Sequence, residues 1–310
     1  MKIIYCLIAL IASSTIVFGQ AVLTPGDHFT SINGIKLHYY VKGKGPVCLL
    51  PSPGWGPSIG YLKGTLQPLE KYFTIVYYDT RMSGQSTGPA DTSRYTSDDF
   101  MADMDSLRAY LQLEKVWVMG HSGGGYQVLK YGIHHSAHLK GIIALDALAG
   151  DDSLRGAELT RLVLKRQGQP YYKAGADILL GKDTSNYTLA QSTPLILPFY
   201  FHDVTKMTAF LQLDIGQMSE KAAVYTGAAR IFGENLLGEL GKITVPTLVV
   251  VGDDDFVCDK VSQADRIVKH IPSAEEIVVA DAGHFCWFEQ PTTFFDGVET
   301  WLKKQGVKEQ

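Results

Sequence analysis

Six short apolar runs, each four to six residues long, alternate with stretches of helical periodicity along this chain. Runs this short and rich in Val, Ile and Leu are typical of strands buried on both faces of a sheet. Strands that alternate with helices form a mostly parallel sheet with helices on both sides. The sequence therefore predicts an α/β fold with a doubly wound sheet. The predicted strands are residues 47–50, 73–78, 116–119, 142–145, 248–251 and 276–279.

Two segments depart from this alternation. Residues 29–43 predict a hairpin of two strands around Asn33-Gly34, a dipeptide that favours a tight hairpin turn. Residues 150–240 lack the alternation and contain helix-compatible stretches around the aromatic, proline-containing PLILPFYFHD. We therefore predict a core of residues 24–149 and 241–306 with a helical insertion, here called the cap segment, at residues 150–240. Core helices are predicted from Thr96, Tyr126, Val261 and Pro291 onward.

The N-terminal residues have the pattern of a secretion signal. One lysine precedes an apolar run over residues 3–12, and small or polar residues lead to Gly19. The pattern predicts a signal peptide over residues 1–19, cleavage near Gly19 and a periplasmic or extracellular protein; an uncleaved anchor stays open. No later stretch is long enough to span a membrane. The net charge of -4 without a basic run favours a small soluble substrate over a nucleic-acid partner.

The segment VWVMGHSGGGYQVLKYG carries the clearest chemical signal. A predicted strand ends at Gly120, Ser122 follows, and glycines lead into a helix, so G-x-S-x-G stands in a strand-turn-helix context. Such a tight turn needs neighbours without bulk and exposes the serine hydroxyl beside a helix N-terminus, which favours developing negative charge. A nucleophilic serine also needs a base and an orienting acid. His284 and the carboxylates of Asp253-Asp254-Asp255 follow later predicted strands.

Four motifs in order resemble the α/β-hydrolase superfamily. They are Gly120-His121-Ser122-Gly123-Gly124, Gly252-x-x-Asp255, Ala282-Gly283-His284 and the segment YYDTRMSGQS. The last is similar to D-x-R-G-x-G-x-S, with Met82 in place of the usual glycine. The resemblance covers essentially the whole chain after the signal segment. It implies the α/β-hydrolase fold, with a helical cap inserted before the strand that carries the acid, and it implies no metal and no organic cofactor.

The resemblance also implies site residues. Ser122 would be the nucleophile, His284 the base and Asp255 the acid, while Asp146 occupies a second known location for the acid. His121 is expected to be a packed histidine. In this superfamily one oxyanion donor is the N–H after the nucleophile, here that of Gly123, and the other comes from the loop after the third strand.

The loop segment LLPSPGWGPS allows two registers for that second donor. One places it on Pro53, which has no N–H; the other places it on Ser52. Loss of one donor slows such reactions by about a hundred- to a thousandfold, so we favour Ser52. Pro51 and Pro53 would then stiffen the loop. Trp55, together with Phe199, Tyr200 and His202 of the cap segment, is predicted to line the substrate pocket.

The resemblance implies hydrolysis of a small ester or amide through an acyl-enzyme. Pro-Gly-Trp-Gly at residues 53–56 is similar to the proline iminopeptidase branch, whereas Gly-His-Ser-Gly-Gly is similar to esterase-like members. An aminopeptidase acting on short peptides is therefore an alternative, and a cofactor-free lyase or a non-catalytic binder is a further one. Three acids of the cap segment, Glu158, Glu220 and Glu234, are expected on solvated helix faces. A serine nucleophile argues against dehalogenases and epoxide hydrolases.

Three cysteines remain after the predicted signal segment: Cys48, Cys258 and Cys286. Lone cysteines are usually buried as small apolar side chains, and the sequence has no Cys-x-x-Cys pair or His/Cys cluster that predicts a zinc site. A working triad would bring the loops of Asp255 and His284 together. A disulfide between Cys258 and Cys286 is therefore an open alternative in an oxidising compartment.

Overall fold

The computed structural model describes residues 23–228 and 230–310. The predicted signal segment lies outside these residues. The described residues form one eight-stranded sheet with the strand order β1-β2-β4-β3-β5-β6-β7-β8. The strands are β1 (Gly26–Ile32), β2 (Ile35–Gly43), β3 (Val47–Pro51), β4 (Thr74–Tyr78), β5 (Val116–His121), β6 (Leu139–Leu145), β7 (Thr247–Gly252) and β8 (Ala274–Val279).

Strands β3 to β8 are parallel, and the β1–β2 hairpin adds an antiparallel edge. Asn33 and Gly34 both have positive φ, at 46° and 78°, as a tight two-residue hairpin turn requires. The predicted α/β-hydrolase fold is thereby confirmed. All six predicted core strands are present; the largest difference is that β6 begins at Leu139 rather than at residue 142.

Eleven α-helices lie on the described residues. Thr96 caps the second of them, because its side-chain oxygen accepts the Asp99 N–H at 3.1 Å. The third begins directly after Ser122 rather than at Tyr126, and a π-helical turn at Lys260–Ala264 precedes the ninth. The helices are α1 (Gly60–Thr65), α2 (Ser97–Tyr110), α3 (Gly123–His135), α4 (Ser153–Leu164), α5 (Tyr172–Leu179), α6 (Leu189–Ile196), α7 (Lys206–Leu211), α8 (Glu220–Ala228), α9 (Asp265–His270), α10 (Cys286–Glu289) and α11 (Pro291–Lys304).

Two apolar clusters cover the two faces of the sheet. Leu49 of β3 belongs to the cluster that contains Met104 of α2, whereas its neighbour Leu50 belongs to the cluster that contains Trp301 of α11. This alternation follows from the two-residue period of a strand. Between β6 and β7 the chain forms α4 to α8, all within the cap segment. No helix among the described residues is long and apolar enough to cross a membrane.

The segment YYDTRMSGQS forms a buried scaffold next to β4. Arg81 donates two hydrogen bonds to the Asp103 carboxylate, at 2.8 and 2.7 Å, and Asp79 accepts the Ile59 N–H at 2.8 Å. Met82 has φ 66°, a backbone conformation that favours glycine. This explains why the superfamily usually has glycine there. The Met82 side chain instead packs with Tyr95 and other apolar residues.

Packing requires a glycine at position 120, two residues before Ser122. A Cβ on Gly120 would overlap the carbonyl oxygen of Gly124. We expect Gly120→Ala to lower the free energy of unfolding by about 1–3 kcal/mol or more, because backbone must shift to admit the methyl group. Gly64→Ala is the matched control: its Cβ would have no neighbour within 4 Å, and alanine favours the helix by up to about 1 kcal/mol. Urea unfolding of both variants tests this; equal stability would contradict it.

Candidate active site

Ser122 lies at the junction of β5 and α3 with a strained backbone. Its φ of 58° and ψ of -120° lie in a region that residues with a side chain rarely adopt. The structure holds this conformation through the Ser122 N–H, which lies 3.0 Å from the Leu145 oxygen and 3.1 Å from the Asp146 oxygen. The turn also brings α3 close to β6, since a Cβ on Gly125 would overlap Ala147. Ser122 therefore stands above the carboxyl ends of the parallel strands, where open α/β sheets place their sites.

His284 and Asp255 form a buried pair on the loops that follow β8 and β7. His284 Nδ1 lies 2.8 Å from Asp255 Oδ2, and both residues are almost fully buried. A carboxylate only accepts hydrogen bonds, so Nδ1 carries the proton and the Nε2 lone pair is available as a base. The other carboxylate oxygen of Asp255 accepts the Val257 N–H at 2.8 Å, which fixes the orientation of the acid.

Asp146, the alternative acid, is buried beside this pair. Its Oδ1 accepts the Gly252 N–H at 2.9 Å, and the Cys286 thiol lies next to its carboxyl group. Burial and the nearby charge of Asp255 raise the pKa of Asp146 well above its usual value. Its φ of 40° is also strained. The structure thus joins the histidine to Asp255, whereas Asp146 connects the end of β6 to the end of β7 through its bond to the Gly252 N–H.

His121 is packed behind His284 rather than presented to solvent. Its Nε2 lies 2.9 Å from the His284 carbonyl oxygen and its Nδ1 lies 2.8 Å from the Tyr61 hydroxyl. Because the carbonyl only accepts, Nε2 carries the proton and Tyr61 donates its hydroxyl proton to Nδ1. Burial, reinforced by His284, lowers the pKa of His121 well below its usual value. His121 is therefore a neutral residue that holds the His284 backbone.

The structure corrects the prediction of Ser52 as an oxyanion donor. The Ser52 N–H donates to the Tyr78 carbonyl oxygen at 2.9 Å, because Ser52 extends the parallel pairing of β3 and β4 by one residue. Its hydroxyl contacts Thr80 Oγ1 at 2.8 Å, and the side chain is buried. Gly123 differs, since as the first residue of α3 it has no intrahelical acceptor for its N–H. Of the two predicted oxyanion donors, only Gly123 has an N–H that is available to a substrate.

An apolar cavity of about 200 Å³ lies against the Ser122 and His284 side chains. Of the four residues predicted for the substrate pocket, Trp55 and Tyr200 line this cavity and Phe199 and His202 do not. Phe199 is fully buried among Leu162, Val163 and Phe256 of another cluster, and His202 turns away to contact Asp254 at 3.1 Å. The remaining lining residues were not predicted from the sequence. They are Pro53, Pro57, Tyr61, His121, Leu189, Thr193, Ile196, Leu197, Phe210, Leu211, Ile215, Met218 and Phe285.

Comparison with known proteins identifies the family of the chain. The sequence profile of the alpha/beta hydrolase fold matches residues 49–291. The chain belongs to the α/β-hydrolase family. It is 25% identical over 285 residues to a proline iminopeptidase of Pestalotiopsis fici, an alignment that covers 89% of this chain and 99% of the relative. It is 24% identical to a proline iminopeptidase of Saccharolobus solfataricus, which covers 89% and 92% respectively.

Solved structures show the same fold. A proline iminopeptidase-related protein from Thermus thermophilus superposes with a TM-score of 0.72 at 19% identity, covering 90% of this chain and 98% of the other. Relatives named as carbamate hydrolases and as an epoxide hydrolase also match over most of the chain. This α/β-hydrolase is accordingly related to hydrolases that are named for different substrates.

The cap segment of this hydrolase contacts the loops that carry Asp255 and His284. Asp254, next to Asp255, accepts from Lys165 Nζ at 2.7 Å and contacts His202 at 3.1 Å. The Tyr200 carbonyl oxygen accepts the His284 N–H at 2.8 Å. A third contact joins the cap segment to the loop after β3, since the Ser219 N–H donates to the Gly56 oxygen at 2.9 Å.

The cysteines of the hydrolase are free and buried. Cys48, Cys258 and Cys286 form no disulfide in the structure, so the bridge considered from the sequence is absent among the described residues. The Cys258 thiol lies within 4.8 Å of ligand atoms of Asp255 and His284, whereas the Cys286 thiol lies beside Asp146. Burial raises the pKa of both thiols well above the usual range. They act as small buried side chains.

Two groups of side chains in this hydrolase have the types and proximity of metal ligands. One is Asp255, Cys258 and His284, in which His284 Nδ1 already bonds to the carboxylate. The other is Asp105, His135 and His138, where the Arg108 guanidinium donates to Asp105 at 2.9 Å. A fixed cation beside the carboxylate opposes a second cation there. Neither group is a well-suited metal site.

Proposed function

We propose that this protein is a serine hydrolase that cleaves small esters or amides through an acyl-enzyme on Ser122. The 2.8 Å contact between His284 Nδ1 and Asp255, with Ser122 and His284 on the wall of one cavity, carries the proposal. The strained backbone of Ser122 supports it, because strain of this kind persists where function requires it. Asp255 is the proposed acid.

The proposed reaction uses only groups of this chain and water. Ser122 Oγ attacks the substrate carbonyl carbon while His284 Nε2 accepts the hydroxyl proton. Asp255 stabilises the imidazolium that forms. The Gly123 N–H stabilises the oxyanion, assisted by the N-terminus of α3. His284 then donates its proton to the leaving group, and water attacks the acyl-enzyme with His284 again as the base.

An aminopeptidase is the second candidate, favoured by the relatives named as proline iminopeptidases. Such a reaction needs a group that binds the free amine of the substrate. Among the described residues, no acid lines the cavity. Glu158 pairs with Arg161, and Glu234 pairs with Lys130. Glu220 has an exposed carboxylate, which accepts the N–H of the cavity-lining Leu189 at the start of α6.

A covalent probe tests the proposed nucleophile. We expect an alkyl fluorophosphonate to modify Ser122 and no other residue, because only an activated serine displaces fluoride rapidly. Peptide mass spectrometry identifies the modified residue, and heat-denatured protein is the control. His284→Gln should slow labelling by about a hundredfold or more, since the base is lost. Protein that is folded by circular dichroism yet unlabelled would contradict the proposed function and would favour the non-catalytic binder.

A further inference from the structure

The cavity restricts which substrates this serine hydrolase can accept. We propose that the acyl group it binds is uncharged and apolar, with about six to eight non-hydrogen atoms, and that a free ammonium or carboxylate on that group is rejected. The inference rests on the proposed nucleophile Ser122. This preference distinguishes the protein from an aminopeptidase, because an aminopeptidase binds the ammonium group of its substrate.

The charge of the wall is the first argument. The described residues that line the cavity include no Asp, Glu, Lys or Arg. The wall is built from Trp55, Ile196, Phe210, Ile215, Met218 and similar apolar side chains. An ion that leaves water for such surroundings without a partner is strongly destabilised. A charged acyl group would therefore enter with a large loss of binding free energy.

Two hydroxyl groups of the cavity wall already donate hydrogen bonds to other atoms of the protein. Tyr61 donates to His121 Nδ1, as the tautomer of His121 requires, at an oxygen–nitrogen distance of 2.8 Å. Thr193 donates to the Leu189 carbonyl oxygen at 2.7 Å, within α6. Neither hydroxyl can donate to a substrate carboxylate without breaking its own bond. These two hydroxyl groups therefore contribute little binding free energy to a polar group of the substrate.

The volume of the cavity is the second argument. At about 200 Å³ it is somewhat larger than a cavity of about 150 Å³ that holds benzene. Each methylene group that enters an apolar cavity improves binding by about fourfold. We therefore expect kcat/KM to rise with acyl length until the cavity is filled and then to fall, because overpacking is unfavourable.

A matched pair of esters tests the charge preference. L-Proline methyl ester and methyl cyclopentanecarboxylate have the same ring size, but only the first carries an ammonium. We expect the purified protein at pH 7 to hydrolyse the cyclopentane ester with at least about a hundredfold higher kcat/KM. p-Nitrophenyl esters from acetate to decanoate test the size, with an expected maximum near hexanoate. A preference for the proline ester, or a rate that does not depend on acyl length, would overturn the proposal.

Variants of Ile196 test whether this cavity sets the preference. Ile196→Asp places a carboxylate on the wall and should shift the preference toward the proline ester by about tenfold or more. Ile196→Trp should move the length optimum to shorter acyl groups. Leu164→Asp and Leu164→Trp are the controls, because Leu164 is 39% exposed on α4 and does not line the cavity. Unchanged profiles in folded Ile196 variants would contradict the assigned cavity.

Fluorophosphonate labelling separates the two possible failures. If Ser122 is labelled but the enzyme prefers the ammonium ester, the inference fails and the proposed function stands. Glu220→Gln then identifies the amine-binding acid if it removes that preference. If folded protein is neither labelled nor active on any of these esters, the proposed function fails, and the inference fails with it.

Discussion

Replacing Ser122 by alanine is expected to lower kcat for p-nitrophenyl butyrate by a factor on the order of 10⁴–10⁶ while the protein stays folded. Without the Oγ atom no acyl-enzyme can form, and serine hydrolases lose about this much activity when the nucleophile is removed. The hydroxyl contributes nothing to the backbone bonds that hold the turn, since these come from the Ser122 N–H and carbonyl oxygen. Steady-state kinetics and urea unfolding together test the prediction.

Ser52→Ala is the matched control for this variant. Ser52 is also a buried serine near the cavity, but its hydroxyl bonds to Thr80 and its N–H to Tyr78. We expect it to lose stability, by about 1–3 kcal/mol, and to keep most of the kcat. Activity that survives in Ser122→Ala, or that is lost in a folded Ser52→Ala, would show that another residue carries the reaction.

Asp255→Asn is expected to lower kcat by about 10⁴-fold, with little change in KM. Asparagine presents an N–H or an oxygen to His284 Nδ1 but no charge, so the imidazolium formed during the reaction loses its stabilising partner. An asparagine NH₂ group that faces Nδ1 would also favour the wrong tautomer. The ratio of kcat values for variant and wild type, measured from pH 6 to pH 9, tests this.

Asp146→Asn decides between the two acids. The raised pKa of Asp146 means that the folded protein holds this proton at a pH where the unfolded chain has lost it. Asp146 therefore lowers the free energy of unfolding as the pH rises above the usual carboxyl pKa. Asparagine cannot ionise and can still accept the Gly252 N–H, so the variant should be at least as stable as wild type at neutral pH. We expect kcat within about tenfold of wild type; a loss as large as that of Asp255→Asn would reassign the acid.

Much of the core could be predicted because its signals are local. The Val-rich run around Val118 and the glycines around Ser122 determine a strand and a tight turn within one stretch of sequence. The proximity of the loops of His284 and Asp255 was expected because the carboxyl ends of parallel strands meet at one edge, whereas the choice of Asp255 among the acids came from the family resemblance.

The donor role of Ser52 could not be judged from the sequence. Whether its N–H faces the site or the neighbouring strand depends on where the pairing of β3 with Tyr78 ends. If the pairing ended one residue earlier, the Ser52 N–H would be free of the neighbouring strand. The sequence specifies the residues of this loop and not the partner of each amide.

The cavity wall was missed for a related reason. Aromatic residues of the cap segment were chosen by type, and Phe199 proved to be packed in an apolar cluster. A usable signal was present at Leu189, Thr193 and Ile196, which share one face of α6 by their four- and three-residue spacing and line the cavity. Helical spacing identifies such a face, but only the fold shows what the face covers.

The contacts that the cap segment makes with three loops of the core bear on how such enzymes can diversify. Lys165 and His202 hold the acid loop through Asp254, the Tyr200 carbonyl holds the His284 loop, and Ser219 holds the loop after β3. The segment that is proposed to select the substrate therefore also contacts the loops of the proposed acid and base. A chimaera that exchanged only residues 150–240 for those of a relative would lose turnover as well as change specificity. We therefore expect that substitutions which change the substrate range of this protein will often change its turnover as well.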